Sequence, residues 1–333
     1  MPDQTAAART APTPPALADA PVVAHVTRGG FVESAHRGSI AVTGPDGSVT
    51  HAWGDPADPL FPRSSNKPIQ AVAMLRAGLT LPPQHLALAC ASHSAQPFHL
   101  DGVRDMLAAA DLSEADLQNT PDLPYDADER DIWIAAGRTA RPLAQNCSGK
   151  HAAMLVTCRL NGWDLTTYRD LDHPLQRLMA DTLVDLAGEP VAATAVDGCG
   201  APVMAISLAG LARAFGRIAS AEPGTPEHEV AAAMRAHPEY VGGTRRDVTA
   251  LMRGTEGLVG KDGAESVHAV GLADGRGIAL KIADGGQRAR PVVLAAVLRR
   301  VGVQSSAYAR LEDAPILGSG RPVGAVVAVG IGE

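Results

Sequence analysis

Arg63-Ser64-Ser65-Asn66-Lys67-Pro68, followed at once by an apolar run over residues 69–79, is the stretch from which the rest of the chain can be read. A proline fits the first turn of a helix, so the spacing predicts a helix beginning near Ser64. Three residues along such a helix rise about 4.5 Å, less than one full turn, which brings the Ser64 hydroxyl and the Lys67 amine onto one face. That is a nucleophile beside a base. A serine hydroxyl is inert at neutral pH until something takes its proton, and a lysine amine takes it only when desolvation or a neighbouring cation keeps it partly neutral. A chain of this length holds roughly one Ser-x-x-Lys by chance, so the tetrad gains its meaning from its surroundings.

The first of these is the scarcity of lysine. Of 29 basic residues, four are lysine (Lys67, Lys150, Lys261 and Lys281) and the other 25 are arginine. With generic surface cations supplied by arginine, the surviving lysines are enriched in places arginine cannot fill, those needing an amine that sheds its proton or a compact charge. Three of them stand beside glycine or serine in turn-like contexts, whereas Lys281 reads as one position of an alternating strand.

The 333 residues are 46% hydrophobic, enough for a sizeable globular core. A formal charge of −7 without a Lys/Arg cluster or interleaved aromatics argues against a nucleic-acid or anionic-membrane surface, and points to small-molecule partners. Residues 1–20, rich in Ala, Pro and Thr, lack a basic start and a continuous apolar stretch, and are expected to be a disordered tail before a single domain over 21–333. No segment approaches the roughly 20 unbroken apolar residues of a membrane span. Four cysteines without a secretory signal fit a reducing, cytoplasmic compartment.

Strands are expected at 22–27 and 39–43, with turn chemistry at 43–47 leading into a further strand at 48–53. Helices are expected at 97–110, 148–160, 174–187, 202–218, 226–236 and 244–253, and an irregular excursion over 119–145. Strands return at 265–272, 277–282 and 323–331, around a helix at 288–302. Strands at both ends and helices between them predict an α/β (α+β) domain, with one mostly antiparallel sheet built from both termini and a helical insertion across the cleft.

Two constellations carry chemistry. Ser92 closes an apolar run and Lys261 opens Lys261-Asp262-Gly263, so with Ser64 and Lys67 the chain holds a Ser-x-x-Lys, a second hydroxyl and a Lys-x-Gly, in the order found in penicillin-recognising serine enzymes. The second is Cys147-Ser148-Gly149-Lys150-His151 with Asp197-Gly198-Cys199-Gly200, two thiols in glycine-containing turns where they are expected to be accessible. They fit a disulfide, inert thiols or half of a zinc site. Without a paired Cys-x-x-Cys, a metal there has about three protein ligands and an open position, and ordinary zinc chemistry favours His151 as the third.

At these residues the chain resembles the rhizobial-type L-asparaginases, also called the asparaginase II family. The resemblance runs from Arg28-Gly29, Glu33-Ser34 and His36-Arg37-Gly38 through the tetrad, Ala91-Ser92-His93-Ser94 and Asn146–His151, to Asp197-Gly198-Cys199-Gly200-Ala201-Pro202 and Gly260-Lys261-Asp262-Gly263-Ala264-Glu265. It implies a fold similar to serine β-lactamases and glutaminases, homodimers, and hydrolysis of L-asparagine to L-aspartate and ammonia. It further implies Ser64 with Lys67 and Ser92 with Lys261 as two Ser-Lys pairs, zinc on Cys147, Lys150 and Cys199, and Arg63, His151 and Asp197 around the substrate. Two stretches depart from the family: Ser94-Ala95-Gln96 replaces the common Ser-Gly-Glu, removing a carboxylate, and Ala152 replaces a common glycine. Glutaminase or penicillin-interacting activity, and a non-catalytic metal-dependent binding protein, are the alternatives; turnover that depends on Ser64 separates the enzymes from the last.

Overall fold

The computed structural model describes residues 17 and 19–332, so most of the tail expected at 1–20 lies outside the described residues. In chain order the strands are β1 (Val22–Arg28), β2 (Phe31–Thr43), β3 (Val49–Trp53), β4 (Pro59–Leu60), β5 (Ala193–Val196), β6 (Pro202–Ser207), β7 (Val259–Gly263), β8 (Val267–Gly271), β9 (Gly277–Ile282), β10 (Pro315–Gly318) and β11 (Arg321–Ala328). The main sheet runs β10-β11-β1-β2-β9-β8-β7, with β3 also on β2; β4-β6-β5 form a second, small one. Every pairing is antiparallel. Strands from both termini thus share one sheet, with the helices of the middle of the chain inserted between β3 and β7.

β7, β8 and β9 are buried at every position, because helices cover the sheet. Helix Leu208–Ala219 packs on β2, β8 and β9, and helix Arg290–Arg300 on β1, β9 and β11. Glycine sets the closeness of the first contact. A Cβ at Gly271 or Gly277 would run into the carbonyl oxygens of Phe215 and Ala212.

Helix Pro174–Ala187 has the bounds its sequence predicts, since His173 accepts from the Leu175 amide, Pro174 takes the first turn and Gly188 ends it at φ 68°. Three expectations are corrected. The tetrad begins as a 3-10 turn, Arg63–Asn66, and the α-helix proper is Lys67–Arg76; Arg63, at φ 52°, cannot be a residue of a regular helix. Residues 202–207 form strand β6, with the helix starting at Leu208, where the Ser207 side chain caps the Gly210 amide. The excursion over 119–145 is not wholly irregular, since Asp126 caps a helix, Ala127–Ala135.

Candidate active site

The 3-10 turn and β7 meet edge to edge. Ser65 Oγ donates to the Lys261 carbonyl at 3.1 Å, and the absence of a side chain at Gly263 lets the strand lie against Pro62 and Ser65. Ser64, between them in sequence, is half-buried, and its hydroxyl has no partner among the described residues. A hydroxyl so placed is free to meet a substrate.

Lys67 is buried and its amine is fully engaged, though not by Ser64. It donates to the Ala91 carbonyl at 2.5 Å, to Ser92 Oγ at 3.2 Å and to Cys147 Sγ at 3.1 Å. The amine therefore joins the turn bearing Ser64 to the loop bearing Ser92 and to the turn bearing Cys147. Backbone bonds fix the same junction: Ser92 N donates to the Val241 carbonyl and His93 N to the Asn146 carbonyl.

Lys261 is wholly buried on β7 and donates to its neighbour's carbonyl at 2.5 Å and to Asp262 Oδ1 at 2.9 Å. Burial pushes the amine down to about 8, with Asp262 opposing and Lys67 assisting the shift. Burial disfavours the Asp262 carboxylate, yet Lys261 and Arg246 outweigh it and hold the group well below the usual carboxylate range. Behind Asp262, Arg290 contacts His268 Nδ1 at 2.6 Å and donates to Asp247 Oδ2 at 2.7 Å. Among the described residues no hydrogen bond joins Lys261 to Ser92; Lys67 is the amine that reaches that hydroxyl.

Cys147, Lys150 and Cys199 come together from two turns far apart in sequence. Lys150 Nζ is 3.3 Å from Cys199 Sγ. The neighbouring Cys147 thiol and the Lys150 amine, against burial, hold Cys199 down at about 4, whereas Cys199 and burial push Cys147 up to about 12. Burial opposes the charge on Lys150, but Cys199, Cys147 and Asp197 outweigh it and keep the amine protonated. The thiols are not accessible as their glycine-rich turns suggested. Both are buried, because each turn folds inward onto the other. Two sulfurs and an amine within one dry cluster suit a borderline-soft ion such as zinc, provided Lys150 gives up its proton. No group of three His, Cys, Asp or Glu side chains gathers among the described residues, so a metal here has to use the amine.

Arg63 and Asp197 border this cluster, the Arg63 Nε donating to Asp197 Oδ1 at 2.7 Å. Burial works against the Asp197 carboxylate, while Lys150 and Arg63 prevail and lower it. His151 points elsewhere. Its Nδ1 lies 2.7 Å from the Tyr168 hydroxyl, its Nε2 is buried without a partner among the described residues, and burial with Lys150 nearby holds the ring neutral.

The sequence did not single out Arg246, Tyr168 or the clamp between Gln96 and Thr244. Arg246 and Thr244 belong to no motif; their loop is held at the site in part by Gln96, whose Oε1 accepts from Thr244 N and whose Nε2 donates to Thr244 Oγ1, each at 2.8 Å. Asp262 and Ser65 stood inside quoted motifs, and could have been found as the polar neighbours of Lys261 and Ser64.

The model of the L-asparaginase II family matches residues 24–328. Among solved structures, the chain is similar to a beta-lactamase from Mycobacterium bovis, at 15% identity over 79% of this chain and 94% of that one, with a TM-score of 0.45. It is also similar to a Bacillus glutaminase, at 13% identity over 74% of this chain and 83% of that one, with a TM-score of 0.39. No curated protein matches the sequence.

Proposed function

This chain belongs to the L-asparaginase II family and is an amidohydrolase, and from that premise we propose that it hydrolyses L-asparagine to L-aspartate and ammonia through a serine acyl-enzyme. The observation that carries the reading is the convergence of the Ser64 turn, the Ser92 loop and the Lys261 strand around a buried Lys67 amine. Ser64 is the nucleophile, being the hydroxyl left without a partner. A neutral lysine of the cluster takes its proton as the serine oxygen bonds to the side-chain carbonyl carbon. The C–N bond then breaks, ammonia leaves with a returned proton, and water cleaves the ester. Lys67 and Ser92 relay protons within the cluster, and Lys261, with its amine lowered to about 8, is a base that is partly neutral near physiological pH.

Arg63 and Asp197 offer a cation and an anion to the zwitterionic end of the amino acid, whereas His151 is turned away onto the Tyr168 hydroxyl. Cys147, Lys150 and Cys199 would hold zinc, which when bound supplies a fixed positive charge and rigidity at that wall. On the same reading the molecule is a cytoplasmic homodimer; no helix among the described residues is long and apolar enough to cross a membrane.

The test is ammonia release from L-asparagine and L-glutamine, with hydrolysis of a β-lactam followed alongside, for the parent chain and Ser64→Ala. Asparagine is expected to be turned over and Ser64→Ala to lose at least about 10³-fold, the scale of a deleted nucleophile, with unchanged melting. Near-normal release by the variant would remove Ser64 from its role.

A further inference from the structure

We propose that Arg246 is a positioning residue for the Ser92 and Lys261 half of the site: it ties the Ser92 loop to β7 and draws the Asp262 carboxylate partly away from the Lys261 amine. The inference rests on the amide-hydrolysis reading for the roles given to Ser92 and Lys261.

Arg246 NH2 donates to Asp262 Oδ2 at 2.5 Å and NH1 donates to the Ser92 carbonyl at 3.4 Å. Its guanidinium lies over the Tyr125 ring at 4.6 Å from the centroid, and its side chain is only 13% exposed. The other oxygen of Asp262 accepts from Lys261. One buried carboxylate is thus divided between a guanidinium that cannot lose its proton and an amine that must.

The loop that carries Arg246 is itself anchored, by Thr244 on Gln96 and by Arg245 on Asp126 and Glu129. The placement of the guanidinium is therefore built in from three sides. Facing Lys261 are Asp262 on its own strand, Lys67 from helix Lys67–Arg76, Arg246 from the loop before helix Asp247–Gly254, Cys90 just after helix Pro83–Ala89, and His268 on β8. Asp262 is the carboxylate among them. Removing Arg246 takes away a like charge and leaves that carboxylate to the amine alone; both changes favour the ammonium form.

With only four lysines, chain labelled at the lysine ε-carbon gives four signals whose shifts follow pH, and Lys261→Arg identifies the one that matters. In Arg246→Gln the Lys261 midpoint should rise from about 8 by about one pH unit, the acid limb of kcat/KM for asparagine should move with it, and kcat/KM at pH 7 should fall about tenfold. Arg246→Lys keeps the charge without the fork and should show a smaller rise of the same sign. It carries the comparison if Arg246→Gln does not fold. An unmoved Lys261 midpoint in either folded variant overturns the proposal and leaves Arg246 a structural residue. A midpoint that rises while the pH profile stays put upholds the effect of Arg246 on Lys261 and instead removes Lys261 from catalysis.

Discussion

Alanine at position 263 tests how closely β7 must approach the serine turn. A Cβ there would sit 2.8 Å from the Pro62 carbonyl oxygen, 3.0 Å from Ser65 Oγ and 3.2 Å from the Ser65 amide nitrogen. The backbone at Gly263, φ −130° and ψ 165°, suits any residue, so the whole penalty is steric. The nearest contact is about 0.5 Å short of ordinary van der Waals separation, and it is with backbone, which cannot rotate away. Relief requires the strand or the turn to shift by that amount, stretching the 3.1 Å bond from Ser65 to the Lys261 carbonyl beyond the roughly 3.5 Å at which it ceases to be a hydrogen bond. Overpacking of this kind costs about 1–3 kcal/mol, a drop of several degrees in Tm at about 2–4 °C per kcal/mol. A half-ångström displacement of Lys261 relative to Ser64 should also lower kcat about tenfold, given that about 1 Å can cost about 10². Thermal melting and ammonia release measure the two effects, with Gly332→Ala, whose Cβ would meet open space, as the control. Adding Ser65→Ala relieves the 3.0 Å contact alone and should restore little. If Gly263→Ala melts and turns over like the parent, the close approach of β7 is not what holds the site.

Ala95 sits at φ 60° where the family commonly has glycine; relief of left-handed strain, worth about 1–2 kcal/mol, against the lost methyl and added chain freedom, about 1 kcal/mol, predicts that Ala95→Gly is neutral to slightly stabilising in denaturant melts, and a clear loss would contradict it. Lys67→Arg should be as inactive as Lys67→Ala in the ammonia assay, because a guanidinium cannot accept a proton and does not fit three buried contacts made by one amine; recovery by arginine would make charge, not basicity, the requirement. Metal analysis should give about one zinc per chain, lost in Cys147→Ser and Cys199→Ser but kept in Cys158→Ser, with affinity falling as pH drops because a proton on Lys150 competes with the ion. Zinc retained in Lys150→Ala and lost in His151→Ala would assign the third ligand to imidazole instead.

Much of the architecture was legible because periodicity and capping are local. Helix Pro174–Ala187 carries its own proline, histidine cap and terminal glycine, and the return of strand patterning from residue 265 announced a sheet shared by the two ends of the chain. Strand β6 was lost because it is buried on both faces and so shows no alternation to separate it from the helix it feeds. Ser207, a capping residue at the junction, was the signal to use.

The lysine count was the most informative feature of the site, for it rests on what an amine can do and not on neighbours. What stayed hidden depended on distant partners. The burial of Cys147 and Cys199 follows from two turns closing on each other, and the choice of Ser92 over Ser64 as the hydroxyl bonded by Lys67 follows from where the 91–92 loop lies. Arg246 reaches Asp262 from a loop held by Gln96, a relation with no trace in local sequence.

All four lysines of the chain are buried, which leaves the described exterior without a side-chain primary amine. Acylating reagents, amine-directed supports and enzymes that modify lysine therefore find no target on the folded body. Each lysine becomes reactive only when the segment around it opens, so the rates at which Lys67, Lys150 and Lys261 are individually labelled in solution record how often each wall of the site comes apart, with Lys281 reporting on the sheet beside it.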